Sequence, residues 1–231
     1  MTGVLELDFW LALGKIIWVN ILLSGDNALV IALVCCALPK NRRKWGMVLG
    51  AAPTVILLIG FTAVAVYLLA VPHLKLVGGL LLLWVASDLL REEKEEIVAH
   101  QHVEYSLWRA VWTIIVADTV MSLDNVVAVA GAANGRIGLM VIGLCISVPL
   151  VIFGAGMLLM ILEKLPILVV AGTGLLGWVA GGLVVEDRAL APWIAANFPI
   201  LDTALPIVFA AAAIGFGYLL AWFDRRRTRL L

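Results

Sequence analysis

Long apolar runs, each separated from the next by a polar connector, divide the chain into seven candidate membrane helices. They cover approximately residues 9–38, 45–70, 74–90, 110–132, 137–162, 167–185 and 205–223. Apolar runs of about twenty residues are long enough to cross the hydrocarbon core of a bilayer as α-helices. Most connectors are short and contain Pro, Gly or Asn, which favour turns. The pattern predicts an all-α transmembrane fold of seven helices.

The first three runs are repeated in the next three. Four polar residues of the first run recur 98 residues later at the same spacing: Asn20, Ser24, Asp26 and Asn27 correspond to Asp118, Ser122, Asp124 and Asn125. In the following runs, Gly50 corresponds to Gly143 and Trp84 to Trp178. Because three crossings are an odd number, the second copy should enter the membrane from the opposite side. Such an inverted repeat is the plan of many secondary transporters, and the seventh run is an addition to it.

The repeat sets the expected domain boundaries. Residues 1–90 form the first three-helix repeat, and residues 110–185 form the second, inverted one. Residues 91–109 between them form a charged cytoplasmic connector. Residues 186–231 contain the extra span and a basic cytoplasmic tail.

The basic residues predict the orientation of the chain. Of the sixteen Lys and Arg residues, twelve fall in connectors on one side of seven alternating crossings and four on the other. Cytoplasmic connectors are enriched in Lys and Arg. We therefore predict a multi-pass plasma-membrane protein with its N-terminus outside and its C-terminus in the cytoplasm.

Composition supports a membrane protein over other classes. The chain is 64% hydrophobic and 14% charged, and its mean hydropathy is +1.10. Soluble domains rarely exceed about half apolar residues. The formal net charge is zero, which gives no electrostatic reason to expect nucleic acid as a partner. The three cysteines have neither disulfide nor metal-ligand spacing.

The polar residues of the repeat lie where charge is most costly. A carboxylate at the bilayer centre costs about 2.5–3.5 kcal/mol, so Asp26, Asp118 and Asp124 together cost roughly 8–10 kcal/mol by simple addition. No Lys or Arg lies at a similar depth in these two runs. Such carboxyl groups must be protonated, hydrated or bound to a cation. A structural alternative is that the polar residues join helices through buried hydrogen bonds.

Helical spacing divides these residues into a shared face and a separate aspartate. The shared faces consist of Asn20, Ser24 and Asn27 in the first copy, and of Asp118, Ser122 and Asn125 in the second. Asp26 and Asp124 lie well around the helix from these faces. Gly25 makes an opening of the first helix beside Asp26 plausible. Leu123 makes an opening less expected in the second copy.

Carboxylates, amide oxygens and hydroxyls are hard ligands, which suit Mn²⁺, Ca²⁺ or Mg²⁺. No intramembrane Cys–His cluster is present, which disfavours zinc and copper. The three negative charges of Asp26, Asp118 and Asp124 exceed the two positive charges of one divalent cation. One of them could carry a proton when the metal is absent, which is a hypothesis for proton-coupled exchange.

The segments SGDNALVIAL (24–33) and DTVMSLDNVVAV (118–129), with the WVA elements at 84 and 178, resemble the TerC family of integral membrane proteins. The resemblance covers nearly the whole chain and is strongest to a small seven-span branch linked to metal transport. It implies a role in manganese homeostasis through export from the cytoplasm. It also implies that the ion path is lined by Asp26, Asn27, Asp118, Asp124 and Asn125, with Asn20, Ser24 and Ser122 as further candidates.

Two other functions remain open. An intramembrane aspartyl protease also uses two facing aspartates, although the repeated Asn has no role in a carboxyl dyad. An accessory subunit could load metal onto secreted proteins through the 91–109 connector, where His100 and His102 could sense or deliver metal. We expect no enzymatic activity and no resident cofactor. The expected partners are a divalent metal ion as substrate and the lipid bilayer, with homo-oligomerisation left open.

Overall fold

The computed structural model describes the backbone of residues 2–99, 106–133, 137–165 and 167–228. Within these ranges the side chains are described apart from residues 2–7, 55, 62–70, 93–99, 123–124, 126–133, 137, 140, 225 and 227–228. The candidate sensing residues His100 and His102 and the side chain of Asp124 therefore lie outside the described residues.

The described part of the chain is helical and contains no strand, so the all-α prediction is confirmed. In chain order the helices are α1 (Thr2–Leu23), α2 (Gly25–Cys36), α3 (Lys40–Ala70), α4 (Leu74–Ala99), α5 (Leu107–Ala133), α6 (Ile137–Lys164), α7 (Ile167–Val185), α8 (Ala191–Asn197) and α9 (Leu201–Thr228).

Four helices in the described residues are long and apolar enough to cross a membrane. These stretches are Lys40–Phe61 in α3, Val141–Lys164 in α6, Ile167–Val185 in α7 and Leu201–Asp224 in α9. The bent pair α1–α2 makes a fifth if it is one span. Helices α4 and α5 were also expected to span the membrane, and the count of seven crossings stays a prediction.

Three element boundaries differ from the sequence prediction. The run predicted as one span over residues 9–38 is two helices that meet at Ser24 with a bend of 50°. Helix α4 continues to Ala99, so the charged connector begins as an extension of a helix. The predicted connector after α7 contains the short helix α8, which begins with Pro at its first turn. Pro at that position is already set to the helical φ and loses no hydrogen bond.

The two predicted repeats consist of α1–α4 and α5–α7, where the pair α1–α2 corresponds to α5, α3 to α6 and α4 to α7. Their contacts are the same when the copies are exchanged. Both α5 and α6 contact α1, α2 and α3, and α4 contacts α7. A Cβ built on Gly50 of α3 would lie 2.6 Å from the Ile114 side chain of α5. A Cβ built on Gly143 of α6 would lie 2.5 Å from the Ile16 side chain of α1. Since Ile16 and Ile114 also stand 98 residues apart, the two contacts are equivalent in the repeat.

Glycines let α7 pack closely against its neighbours. A Cβ on Gly177 would lie 2.6 Å from the Phe209 carbonyl oxygen of α9, and one on Gly181 would lie 2.5 Å from the Pro206 Cα. On another face of α7, a Cβ on Gly79 of α4 would lie 2.5 Å from the Ala180 carbonyl oxygen. Small residues allow membrane helices to gain van der Waals contact between backbones. The third helices of the two repeats, α4 and α7, therefore form a tightly packed group with the additional helix α9.

Ion pairs join the helix ends in two separate groups. The first group contains Arg43–Glu163, Arg91–Asp224, Arg91–Asp88, Arg109–Asp88 and Arg109–Glu92. The second group lies beyond the other end of α3, where Lys75 Nζ is 2.9 Å from Glu186 Oε2. Each ion pair joins connectors that the alternating topology assigns to the same side of the membrane.

Asp187 caps the start of α4 in the second group. Its buried carboxylate accepts hydrogen bonds from the backbone N–H groups of His73, Leu76 and Ala189 at 3.2, 3.1 and 2.9 Å. Burial acts to raise the pKa of Asp187, but these three donors outweigh it and hold the pKa below its ordinary value. The cap fixes the turn between α3 and α4, where His73 has a φ of 63°.

We predict that Gly181→Ala destabilises the folded protein. The added methyl group would meet backbone atoms of α9, which cannot move without separating the helices. Overpacking of this kind costs about 1–3 kcal/mol. The apparent melting temperature in detergent should fall. Gly182→Ala is the matched control, because nothing lies within 4 Å of its added Cβ. Equal melting temperatures for the two variants would contradict the close packing of α7 on α9.

Candidate ion-binding site

The break between α1 and α2 opens the backbone beside the repeated polar residues. Helix α1 ends at Leu23 and α2 begins at Gly25, while the Ser24 side chain makes no cap hydrogen bond. The Leu23 carbonyl oxygen accepts a hydrogen bond of 3.2 Å from Asn125 Nδ2 of α5. The predicted opening at Gly25 is confirmed. In the second copy α5 continues without a break through Leu123, as expected.

The two polar faces meet at one cavity. It encloses about 460 Å³ of empty space, including its opening. Its polar lining contains six repeat residues, all buried, which are Asn20, Ser24, Asn27, Asp118, Ser122 and Asn125. Thr54 of α3 adds a seventh polar side chain. The repeat residues therefore form one site instead of two separate ones.

Apolar side chains complete the cavity wall, and four of the six in the described lining come from equivalent positions. They are Ile31, Ala51, Leu58, Leu144, Val148 and Val151. Ala51 and Leu144 stand 93 residues apart, as do Leu58 and Val151 and the paired glycines Gly50 and Gly143. Both copies thus contribute matching faces, and the cavity lies where the copies meet.

Each copy places its first polar residue near a hydroxyl of a neighbouring helix. Asn20 Nδ2 donates to Ser147 Oγ of α6 at 2.6 Å. Asp118 lies close to Thr54 of α3 and accepts a hydrogen bond of 3.2 Å from Ser122 Oγ. Among the described residues, no Lys or Arg lines the cavity. The Asp118 carboxylate therefore has neutral hydrogen-bond partners and no described basic residue of the lining to balance its charge.

Asn27 presents an acceptor that the described protein leaves unused. Its Oδ1 atom is buried and has no hydrogen-bond partner among the described residues. A buried polar atom without a partner costs about 1–3 kcal/mol. Because Asn27 lines the cavity, a bound cation could accept this oxygen as a ligand.

Of the two remaining aspartates of the motif, the described side chains include only Asp26. Asp26 is half-buried and is not among the residues that line the cavity, and its predicted place on the ion path stays a prediction. Asp26 lies off the cavity face because it precedes Asn27 by one residue, which is about 100° around a helix. Its Oδ1 accepts the Asn27 backbone N–H at 2.9 Å. Asp124 belongs to α5, but its side chain lies outside the described residues.

A cluster of the three carboxylates Asp26, Asp118 and Asp124 is therefore not seen among the described side chains. They contain no group of three His, Cys, Asp or Glu residues that could hold a metal ion. The cavity offers one carboxylate, Asp118, together with amide and hydroxyl oxygens. Its ligand chemistry is that of a hard cation site with little negative charge.

Sequence reasoning missed the hydroxyl groups of Thr54 and Ser147. Both lie in apolar runs, where a single Ser or Thr hydroxyl commonly bonds only a carbonyl of its own helix. The repeat contained the signal, because Thr54 and Ser147 stand 93 residues apart, at the offset that relates Gly50 to Gly143.

Comparison with known proteins agrees with the motif. The sequence model of the integral membrane protein TerC family matches residues 5–229. This chain belongs to the TerC family. It is 43% identical over 210 residues to the uncharacterized membrane protein YjbE of Bacillus subtilis, covering 91% of this chain and 95% of that protein.

More distant relatives of this TerC-family chain are also membrane proteins. It is 26% identical over 207 residues to the uncharacterized membrane protein YkoY of Bacillus subtilis, covering 82% of this chain and 64% of that protein. It is 29% identical over 163 residues to the UPF0053 inner membrane protein YgdQ of Escherichia coli, covering 63% of this chain and 68% of that protein. No solved structure matches significantly. The chain is an integral, multi-pass membrane protein.

We predict that Asn20 and Ser147 are energetically coupled. Asn20→Ala and Ser147→Ala should each lower stability, and the double variant should lose less than the sum because both singles remove the same hydrogen bond. Interhelical hydrogen bonds in membrane proteins average about 0.6 kcal/mol and reach about 1.7 kcal/mol. Unfolding in mixed micelles would measure the coupling. Additive effects would contradict a direct bond between α1 and α6.

Proposed function

We propose that this TerC-family protein is a secondary transporter of divalent metal ions that exports Mn²⁺ from the cytoplasm. The observation that supports the proposal is the cavity between α1–α2, α3, α5 and α6, in which hard oxygen atoms converge and Asn27 Oδ1 has no partner among the described residues. Transporters built from inverted repeats bind their substrate where the two copies meet, beside broken helices. The break at Ser24 and the matched cavity walls fit that plan.

The ligand chemistry favours a hard divalent ion. The described lining has one carboxylate, three amide side chains and three hydroxyls, and none of its residues is Cys or His. Oxygen ligands suit Mn²⁺, Mg²⁺ and Ca²⁺, whereas Zn²⁺ binds Cys and His in most protein sites. Manganese is chosen over calcium and magnesium because of the family resemblance.

The arrangement of contacts supports an inverted repeat. The equivalent close approaches of Gly50 to Ile114 and of Gly143 to Ile16 are those expected of two copies related by an approximate two-fold axis. The grouping of ion pairs supports seven crossings, because each pair joins connectors on the same predicted side. With the basic group in the cytoplasm, the N-terminus lies outside.

Asp26 and Asp124 are proposed to act along the ion path, Asp26 outside the cavity lining. Asp26 lies at the helix break, close enough to Asp118 for their charges to interact. A cation leaving Asp118 would meet this second carboxylate next. Two facing carboxyls of an aspartyl protease would both have to line the site, whereas Asp118 is the single carboxylate in the described lining.

We predict that Asp118→Asn abolishes most Mn²⁺ transport. The change keeps the side-chain shape but removes the charge that attracts the cation, and flux into proteoliposomes should fall at least about tenfold. Asp202→Asn is the control, because Asp202 is exposed at the start of α9. Parallel measurements with Ca²⁺, Mg²⁺ and Zn²⁺ would define selectivity. Equal flux in the Asp118→Asn variant and the wild type would leave the cavity without a transport role.

We also predict that a proton gradient drives transport. When the cation leaves, the Asp118 carboxylate is left without charge compensation in a medium that disfavours it, so a proton should replace the metal. Mn²⁺ flux should rise when the opposite compartment is made more acidic. A pH-sensitive dye in the vesicles should report counter-movement of protons. Mn²⁺ flux that is insensitive to an imposed pH difference would contradict the coupling.

A further inference from the structure

Two side-chain pairs at the cavity stand at equivalent positions of the repeat. Asn20 of α1 bonds Ser147 of α6, and Asp118 of α5 lies close to Thr54 of α3. Ser147 is buried behind Asn20, outside the cavity lining, while the other three residues line the cavity. Asn20 and Asp118 stand 98 residues apart, and Thr54 and Ser147 stand 93 residues apart. These are the offsets of their respective helices in the repeat. The pairs are therefore related by the same exchange that relates the two copies.

The hydroxyl partner is held in the same way in both pairs. Thr54 Oγ1 donates to the Ala51 carbonyl oxygen at 2.8 Å, and Ser147 Oγ donates to the Leu144 carbonyl oxygen at 3.0 Å. Each hydroxyl donates its single proton to a carbonyl three residues earlier, so its oxygen acts as an acceptor towards other groups. Ser147 Oγ accepts from Asn20, and Thr54 Oγ1 in the cavity lining can bind a cation. Ala51 and Leu144 both line the cavity and are themselves equivalent positions.

The backbones that carry these pairs are also held at matching distances. The close approach of Gly50 to Ile114 fixes α3 against α5, and that of Gly143 to Ile16 fixes α6 against α1. Both isoleucines are fully buried. The scaffold on the two sides of the cavity is thus the same, while the side chain at the first position differs. That difference is Asn on one side and Asp on the other, which have the same shape and differ by one charge.

We propose that Asn20–Ser147 and Asp118–Thr54 are interchangeable half-sites for one divalent cation, in which Thr54 provides a hydroxyl oxygen to the cation and Ser147 holds the Asn20 amide in place. This inference rests on the proposed function and adds two residues to the site. A cation between equivalent half-sites is equally far from both, so its attraction depends on the number of carboxylates and not on which half carries them. The unpartnered Asn27 Oδ1 in the same cavity is a further ligand for that cation.

The inference predicts that the charge can be moved across the cavity. Asp118→Asn alone should weaken Mn²⁺ binding at least about tenfold. The exchanged variant Asn20→Asp/Asp118→Asn restores one carboxylate in the opposite half-site, and its Kd should return to within about threefold of the wild type. Asn197→Asp/Asp118→Asn is the matched control. It restores the same charge at an exposed position of α8 and should bind as weakly as Asp118→Asn.

The hydroxyl groups are tested by a second exchange. Thr54→Val keeps the shape of the side chain and removes its oxygen, so Mn²⁺ binding should weaken about threefold to tenfold. Thr54→Ser/Ser147→Thr keeps both oxygens and exchanges them between the copies, so binding should match the wild type. Weak binding by the exchanged pair and unchanged binding by Thr54→Val would both overturn the assignment.

The experiment is a titration of the purified full chain in detergent with Mn²⁺ alone, in which the electron paramagnetic resonance signal of free Mn²⁺ reports binding. Melting temperatures of the variants show whether each is folded. Recovery in Asn20→Asp/Asp118→Asn but not in the Asn197 control supports interchangeable half-sites. If Asp118→Asn loses binding and the folded exchanged variant does not recover it, the inference is wrong while the proposed function stands. A wild type that binds no Mn²⁺, Ca²⁺ or Mg²⁺ would overturn both.

Discussion

Burying a carboxylate in an apolar helical bundle costs free energy that must be recovered locally, and the arrangement around Asp118 follows from that cost. The side chain is 6% exposed, and no basic residue lines the cavity in the described part of the chain. Ser122 donates a hydroxyl hydrogen bond to it, which offsets part of the lost hydration. Neutral partners do not cancel a charge. The remaining compensation must come from a proton or a metal cation, which are the two species that the proposed transport cycle exchanges.

The helix break follows from the same requirement that polar atoms in a membrane find partners. Ending α1 at Leu23 releases a carbonyl group that an unbroken helix would use, and Asn125 of the other copy donates to it. At the far end of α2, the Arg43 guanidinium donates to the carbonyl oxygens of Cys36 and Leu38 at 3.1 and 2.8 Å. Arg43 also pairs with Glu163 at the end of α6. The short helix is thus held at both ends by polar contacts, which makes the break a defined feature of the fold.

Much of this architecture could be predicted from the sequence because the repeated residues are Asp, Asn, Ser and Gly, which have strong structural preferences inside apolar helices. Polar residues at helical spacing predicted the shared faces, and Gly25 predicted the break. The same spacing predicted that Asp26 lies off the shared face, whereas the size of the bend at Ser24, 50°, could not be predicted because it depends on how α2 packs against its neighbours. Thr54 and Ser147 were missed because their role depends on which helices become neighbours. Helix α8 was missed because seven residues give too little periodicity to recognise.

The two copies differ in charge at one equivalent position, which is Asn20 in the first and Asp118 in the second, and electrostatic repulsion explains the difference. Carboxylates at both positions 20 and 118 would face each other across a small cavity of low polarity, and their repulsion would destabilise the ion-free state. Asn20 has the same shape and avoids that repulsion. In the proposed transport cycle it would also limit the attraction for a divalent cation, since a site with two opposed carboxylates would bind more tightly and release more slowly. A transporter must release what it binds, so a symmetric frame with a single central charge suits transport better than a fully symmetric acidic site.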